Sequence, residues 1–471
     1  MIDLPASWLV EAAGARLVAG DPGTPGPRRA VVDSRGLERG DLFFGLRGQR
    51  IDGGELAMDA LEHGAWGVVV SPQWGASLAP EVRRLAEAGE RPGASGGEPA
   101  ASGDAPPLVI VADDPRLALA ALARAWRREL ACPCVGITGS TGKTSTKDIL
   151  GALLAPHRAT HANRQNLNTE VGLPLSLLEA PRGTEALVLE MAMRGPGQIA
   201  ELAGVAEPDV GVIVNVGPVH LELLETVGRV AAAKAELIRA LPAGAACVVP
   251  AGEALLAEHL RSDLDTITFG ADGDVSLRSF EHGRAEIYAR GRSIALELGY
   301  GEAHNVSNTL AAVAAAMALG IEPEGRLDVR FSSLRGQLVE LDGEITVVND
   351  CYNANPMSVR AALEHLAASP AERRIAVLGT MAELGPASER FHREIGERAG
   401  ELGIDVLVTV GEPALAYARG FDGHTRSVLG PEEAGALLEE IAQPGDRVLV
   451  KGSRSVGLER VLGIPAQAAR G

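Results

Sequence analysis

Short unbroken apolar runs recur along the chain, separated by stretches of helical period, and they set the first expectation of its architecture. In the first hundred residues, Asp41-Leu42-Phe43-Phe44 and Gly67-Val68-Val69-Val70 read as strands, punctuated by glycine-rich turns such as Asp52-Gly53-Gly54. Leu108-Val109-Ile110-Val111 is a further strand. After it Asp114 is placed to cap a helix with Pro115 at its first position and Leu119, Leu122, Trp126 and Leu130 on one face. Strands ending near Thr138, Glu190 and Asn215 then alternate with helical stretches, the pattern of a parallel sheet wrapped by helices. The Ala-rich stretch 310–319 reads as a buried helix. Beyond Arg326 a new series of strands begins with Thr346-Val347-Val348, Ile375-Ala376-Val377-Leu378, Val406-Leu407-Val408 and Arg447-Val448-Leu449-Val450.

The pattern predicts an α/β protein of three domains: a small α/β domain over 1–112, a central phosphate-loop domain with a mainly parallel sheet over 113–325, and a Rossmann-like domain over 326–471. A length of 471 residues suits about three cores. Residues 89–107 hold Gly, Pro, Ala, Ser and Glu with almost nothing to bury, and read as a flexible insertion.

Composition narrows the possible roles. A net charge of −18 and a pI near 5.1 oppose a general nucleic-acid or anionic-membrane role, so any phosphate site must be built locally. No apolar run reaches the roughly 18 residues of a membrane span, and the N-terminus lacks an export signal. Cys132, Cys134, Cys247 and Cys351 fit neither a disulfide framework nor a zinc site. A soluble, cytoplasmic protein is the expectation. Positive charge is carried almost wholly by arginine; the only lysines are Lys143, Lys147, Lys234 and Lys451. Each is therefore a candidate position for a compact ammonium, or for an amine that gives up its proton.

Around Lys143 the chain reads strand, loop, helix: Cys134 to Thr138, then Gly139-Ser140-Thr141-Gly142, then a helix with Ile149, Leu150, Leu153 and Leu154 inward. Glycines let backbone N–H groups converge on phosphate, the helix N-terminus adds partial positive charge, Lys143 reaches the β/γ-phosphates and Thr144 offers a magnesium ligand. The strict P-loop pattern fails, because Ile137 stands where a glycine is required. The competing reading is a glycine-rich turn with no ligand. Glu190 closes the apolar run 186–189 and so falls at the carboxyl edge of the sheet, as a metal ligand or as a solvated loop residue. Val212 to Pro218 delivers His220 to the same edge, where a neutral imidazole is a metal donor. Lys234 lies among Ala231, Ala232, Ala233 and Ala235, either desolvated with a neutral amine or snorkelling from an apolar face.

At this point the chain resembles the Mur ligases, which join amino acids to the peptidoglycan precursor. The residues 136–145, 166–174 (Asn-Leu-Asn-Thr-Glu-Val-Gly-Leu-Pro), 190–197, 215–222 and 233–236 match that family's motifs in order and spacing, and Ile137 is ordinary there. Asp350-Cys351-Tyr352-Asn353-Ala354-Asn355-Pro356 and Lys451-Gly452-Ser453-Arg454 resemble the branch that adds D-alanyl-D-alanine to UDP-MurNAc-tripeptide. Near the start, Asp33-Ser34-Arg35 and Gly40-Asp41-Leu42-Phe43 resemble the UDP-sugar-binding domain.

The resemblance implies a monomeric, ADP-forming ligase of cell-wall synthesis that uses ATP and Mg2+. It assigns Gly139, Ser140, Thr141, Gly142, Lys143, Thr144 and Ser145 to ATP, with His304, Asn305, Asn308 and Asp350 on the nucleoside side. A reading of His304, Asn305 and Asn308 as helix caps is nearly as economical. Thr144, Glu190, His220 and Lys234 serve metal, Lys234 as a carbamate; Lys143, Lys234 and His220 serve catalysis. Ser34, Arg35, Asn166, Asn168, Thr169, Tyr352, Asn353, Asn355, Lys451 and Ser453 face substrates. The chain departs from the family at Gly54 (usually His), Gln337 (Arg), Asn349 (Asp) and Thr380 (Asp). Loss of the arginine at Gln337 puts one phosphate contact in doubt, with Arg335 as the possible substitute. The rival readings are another ligase of the superfamily, such as the branch that adds the third peptide residue, and a catalytically silent nucleotide-binding scaffold.

Overall fold

The computed structural model describes residues 4–88, 106–164, 166–341 and 343–463; the insertion expected at 89–107 lies outside them except for its last two residues. The chain divides into two compact units, one of residues 1–136, 157–192 and 199–209, the other of 137–156, 193–198 and 210–471.

The first unit holds a five-stranded sheet in the order Arg16–Ala19, Leu108–Val111, Gly67–Val70, Leu42–Phe44, Ala30–Val31. Its first pair is antiparallel and the rest parallel. The central strands are buried along their whole length, which is why they appear in the sequence as continuous apolar runs rather than alternating ones. Asp114 caps the helix Pro115–Leu130 as expected, its carboxylate accepting from the Arg116 and Leu117 amides. Trp126 is fully buried on that helix, and its indole N–H donates to Ala180 O at 3.0 Å. The parallel pair Thr160–Ala162 and Ala186–Glu190 also belongs to this unit.

In the second unit Val210–Ile213, Ala246–Pro250 and Asp265–Phe269 pair in parallel. An antiparallel meander follows, Val275–Glu281, Arg284–Ala289 and Arg292–Leu298, which the sequence reading passed over. Its turns carry the signal. His282-Gly283 and Arg290-Gly291 have φ of 50°, 81°, 46° and 87°, the two left-handed residues of a tight hairpin. The Ala-rich helix runs over Ala303–Ala318 and packs on the phosphate-loop helix Lys143–Leu154, where methyl-sized side chains allow close approach.

The six-stranded sheet of this unit runs Gln337–Leu341, Ile345–Asn349, Asp446–Lys451, Arg373–Gly379, Val406–Val410, His424–Val428, with only the first pair antiparallel. Apolar clusters cover both faces, one centred on Leu363, Ile395 and Tyr417, the other on Val377, Val448 and Leu438. Three adjacent strands therefore present their carboxyl ends side by side, carrying Asp350, Lys451 and Thr380. Ligands of open parallel sheets bind at such an edge.

Candidate functional site

The phosphate loop is fixed from beneath before any ligand arrives. The strand Cys134–Thr138 is wholly buried, and Asn215 closes the loop above it. The Asn215 side-chain oxygen accepts from the Ser140 and Thr141 amides at 3.1 and 3.0 Å, and its amide nitrogen donates to Thr141 O at 3.1 Å. Ser140 is spent on the same scaffold: its hydroxyl donates to Gly217 O at 3.1 Å and accepts from Gly217 N at 2.9 Å. The N–H groups left to face phosphate are those that open the helix Lys143–Leu154, whose N-terminal end carries partial positive charge.

Gly142 has φ of 76°, and a Cβ there would stand 2.6 Å from Asn308 Oδ1. Only glycine meets both demands, and the near approach brings the start of the Ala-rich helix to the loop. Asn305 and Asn308 are buried on this helix and joined at 3.4 Å, while His304 is exposed. Helix capping does not explain them, since the N-cap residue is Glu302. Lys143 is half-buried and its ammonium donates to Gly139 O at 2.9 Å, across the mouth of the loop. Thr144 is buried; Ser145 is partly exposed.

The other lysines are buried: Lys147, Lys234 and Lys451 are 4%, 2% and 2% exposed. Lys147 lies 3.3 Å from Asp148, whose carboxylate accepts from the Ser332 amide and hydroxyl, both at 2.9 Å. Lys234 ends the helix Val227–Lys234, and a second helix begins at Glu236, just after Ala235. Burial pushes the Lys234 amine well below the usual lysine range, and the charge of Lys143 adds to the effect. Both effects act in the direction of the neutral amine.

Lys451 donates to the Asp350 carboxylate at 2.6 Å and to Asn353 O at 3.0 Å. Asn355 caps the helix Pro356–Ala368 through a reciprocal pair with Ser358 and comes within 3.5 Å of Ser140 O. The Arg335 guanidinium stacks on Tyr352, 4.2 Å from the ring centre, and Gln337 stands on the edge strand opposite Asn349. Arg335 thus has an aromatic partner. Asn349 is buried and accepts from the Cys351 thiol at 2.9 Å. The Gly54 departure has a steric cause, for any Cβ there would collide with the Trp74 indole.

His220 has a left-handed φ of 53°, and its Nδ1 bonds the carboxylate of Glu383. That hydrogen bond holds the Glu383 carboxyl below the usual carboxylate range. Neither residue's partner is legible in sequence, 163 positions apart.

In the first unit, Glu190 is buried and accepts from Asn168 Nδ2 at 2.8 Å. Asn163 grips the Glu190 backbone on both sides, donating to its carbonyl at 2.9 Å and accepting from its amide at 2.8 Å. Thr169 accepts from Gly172 N at 3.3 Å; Asn166 is exposed. Ser34 and Arg35 sit in a short turn capped by Asp33, with the Arg35 guanidinium paired to Asp33 at 2.7 Å. Among the described residues no group of three or more His, Cys, Asp and Glu side chains forms a self-contained metal cage. A hydroxyl at Thr144 and a carboxylate at Glu190 are hard oxygen donors. Each, within its own unit, is a donor of the kind magnesium takes, an ion that needs only one or two protein ligands when phosphates supply others.

The family model of the Mur ligase middle domain matches residues 137–316, and that of the Mur ligase glutamate ligase domain matches 334–454. The chain belongs to the Mur ligase family. Within it, this chain is similar over nearly its whole length to proteins named UDP-N-acetylmuramoyl-tripeptide--D-alanyl-D-alanine ligase. One from Synechocystis is 35% identical over 92% of this chain and 90% of its own, and one from Bacillus subtilis is 31% identical over 95% and 96%. Among solved structures, MurF from Acinetobacter baumannii matches with a TM-score of 0.83 at 27% identity over all of both chains. MurF from Thermotoga maritima in complex with ADP matches at 0.76 and 30% identity, over 94% of this chain and 98% of that one.

Proposed function

We infer that this chain is the ATP-dependent ligase that joins D-alanyl-D-alanine to UDP-MurNAc-tripeptide in the assembly of the peptidoglycan precursor. The observation that carries the reading is the preorganised phosphate loop, with Ser140 and Thr141 held by Asn215 and Gly142 packed close against Asn308, in a chain that matches MurF ligases over most of its length.

A carboxylate is a poor acyl donor because its leaving group would be oxide. The γ-phosphoryl group of ATP is therefore transferred to the tripeptide carboxylate, giving an acyl phosphate and ADP. The dipeptide amine attacks the acyl carbon, and the tetrahedral oxyanion collapses with loss of phosphate to leave the amide. Lys143 and the helix N-terminus neutralise charge on the transferring phosphoryl oxygens. Magnesium, when bound, shields the phosphate oxygens from the incoming carboxylate. Thr144, Glu190 and His220 are assigned to metal, and Lys234, as a carbamate, supplies an anionic oxygen that arginine cannot. Carbamate formation joins the neutral Lys234 amine to the carbon of CO2 with loss of one proton.

Asn305, Asn308, His304 and Asp350 are assigned to the nucleoside. Ser34, Arg35, Asn166, Asn168 and Thr169 are assigned to the UDP-linked peptide, and Tyr352, Asn353, Asn355, Lys451 and Ser453 to the dipeptide side. The division at 112 and 325 assigns one domain to each ligand, in a cytoplasmic monomer. No described helix is long and apolar enough to cross a membrane.

Phosphate release tests the reading. With ATP, UDP-MurNAc-tripeptide and D-Ala-D-Ala all present, phosphate appears, and omission of either acceptor or donor abolishes it. ATP binding without substrate-dependent release would favour the silent scaffold.

A further inference from the structure

The contact between His220 and Glu383 is built from both sides with more constraint than an incidental ion pair. His220 and Glu383 are both non-glycine residues at left-handed φ, 53° and 61°. Such backbone costs energy and persists only where the surroundings fix it. The surroundings do. Glu383 O accepts from Glu222 N at 3.2 Å, tying the loop after the strand Arg373–Gly379 to the turn that carries His220. Behind the loop, Ser453 N donates to Thr380 O at 3.0 Å and Ser453 Oγ accepts from Ala382 N at 2.8 Å. Met381 N donates to Nε2 of the fully buried His392 at 2.9 Å. Arg194 stands 3.6 Å from the other Glu383 oxygen, leaving the carboxylate oriented on both sides.

We propose that Glu383 is a positioning residue for His220: by accepting from Nδ1–H it fixes the imidazole tautomer and turns Nε2, with its lone pair, toward the reacting phosphates and their metal. A carboxylate behind an imidazole raises the basicity of the opposite nitrogen and sets its direction, and loss of such a partner costs about 10- to 100-fold in metal affinity or activity. Because Glu383 belongs to the six-stranded-sheet region, His220 is oriented only when that region is seated. The inference rests on the reading of His220 as a metal-facing residue.

The test uses the full chain with Glu383→Ala, Glu383→Gln and, as control, His220→Ala. Mn2+ affinity is measured by electron paramagnetic resonance on the ADP-loaded protein, beside kcat, KM and the melting temperature. For Glu383→Ala, Mn2+ affinity and kcat fall about tenfold or more, with KM for ATP nearly unchanged. Glu383→Gln, which keeps an acceptor oxygen, recovers part of both. If Glu383→Ala binds Mn2+ as tightly as the parent, the inference is overturned, whatever happens to kcat or to melting. If His220→Ala keeps full Mn2+ affinity and kcat, the assignment of His220 itself fails.

Discussion

Lys234 shows how far single residues can be argued from chemistry. It is one of four lysines in a chain that otherwise uses arginine, and it is buried where charge is costly. Burial and the nearby Lys143 favour its neutral form, the form that reacts with CO2. Replacement by arginine keeps a long basic side chain but removes that nucleophile. Lys234→Arg is expected to lose about a hundredfold or more in turnover, the scale of removing one charge-stabilising group, and to show no response to bicarbonate. In the parent, 13C-bicarbonate gives a carbamate carbonyl resonance that Lys234→Arg lacks. Full turnover in the variant would reject the carbamate role. Scarcity made Lys143, Lys234 and Lys451 visible in the sequence. Asn215 and Glu383 were not visible in the same way, because asparagine and glutamate are common and only folding reveals what they hold.

At the level of elements, the phosphate loop is a strand and a helix joined through one residue that must be glycine. Gly142→Ala places a Cβ against Asn308 and forces a left-handed alanine, at a cost of about 1–2 kcal/mol for the backbone alone. We predict that ADP affinity, measured by calorimetry, falls about tenfold or more. Unchanged affinity would mean the loop does not carry the nucleotide. Elements of this kind were legible because parallel strands are buried on both faces and leave unbroken apolar runs, as in Val68-Val69-Val70 and Val448-Leu449-Val450. The meander over 275–298 was harder to see. Its strands expose one face, as Arg284–Ala289 does, so they read as mixed polar sequence, and only the His282-Gly283 and Arg290-Gly291 turns mark them.

Over the whole molecule, a net charge of −18 means that anionic substrates are drawn in by local devices rather than by the general field. The phosphate loop is such a device, and together with Lys234 and the His220–Glu383 contact it points to one chemical event, the activation of a carboxylate by phosphorylation. That event leaves an isotopic record. UDP-MurNAc-tripeptide labelled with 18O in its terminal carboxylate, turned over with ATP and D-Ala-D-Ala, should yield inorganic phosphate carrying one carboxylate-derived oxygen, read by mass spectrometry or by the 31P isotope shift. Phosphate free of label while the amide product accumulates would contradict the acyl-phosphate mechanism.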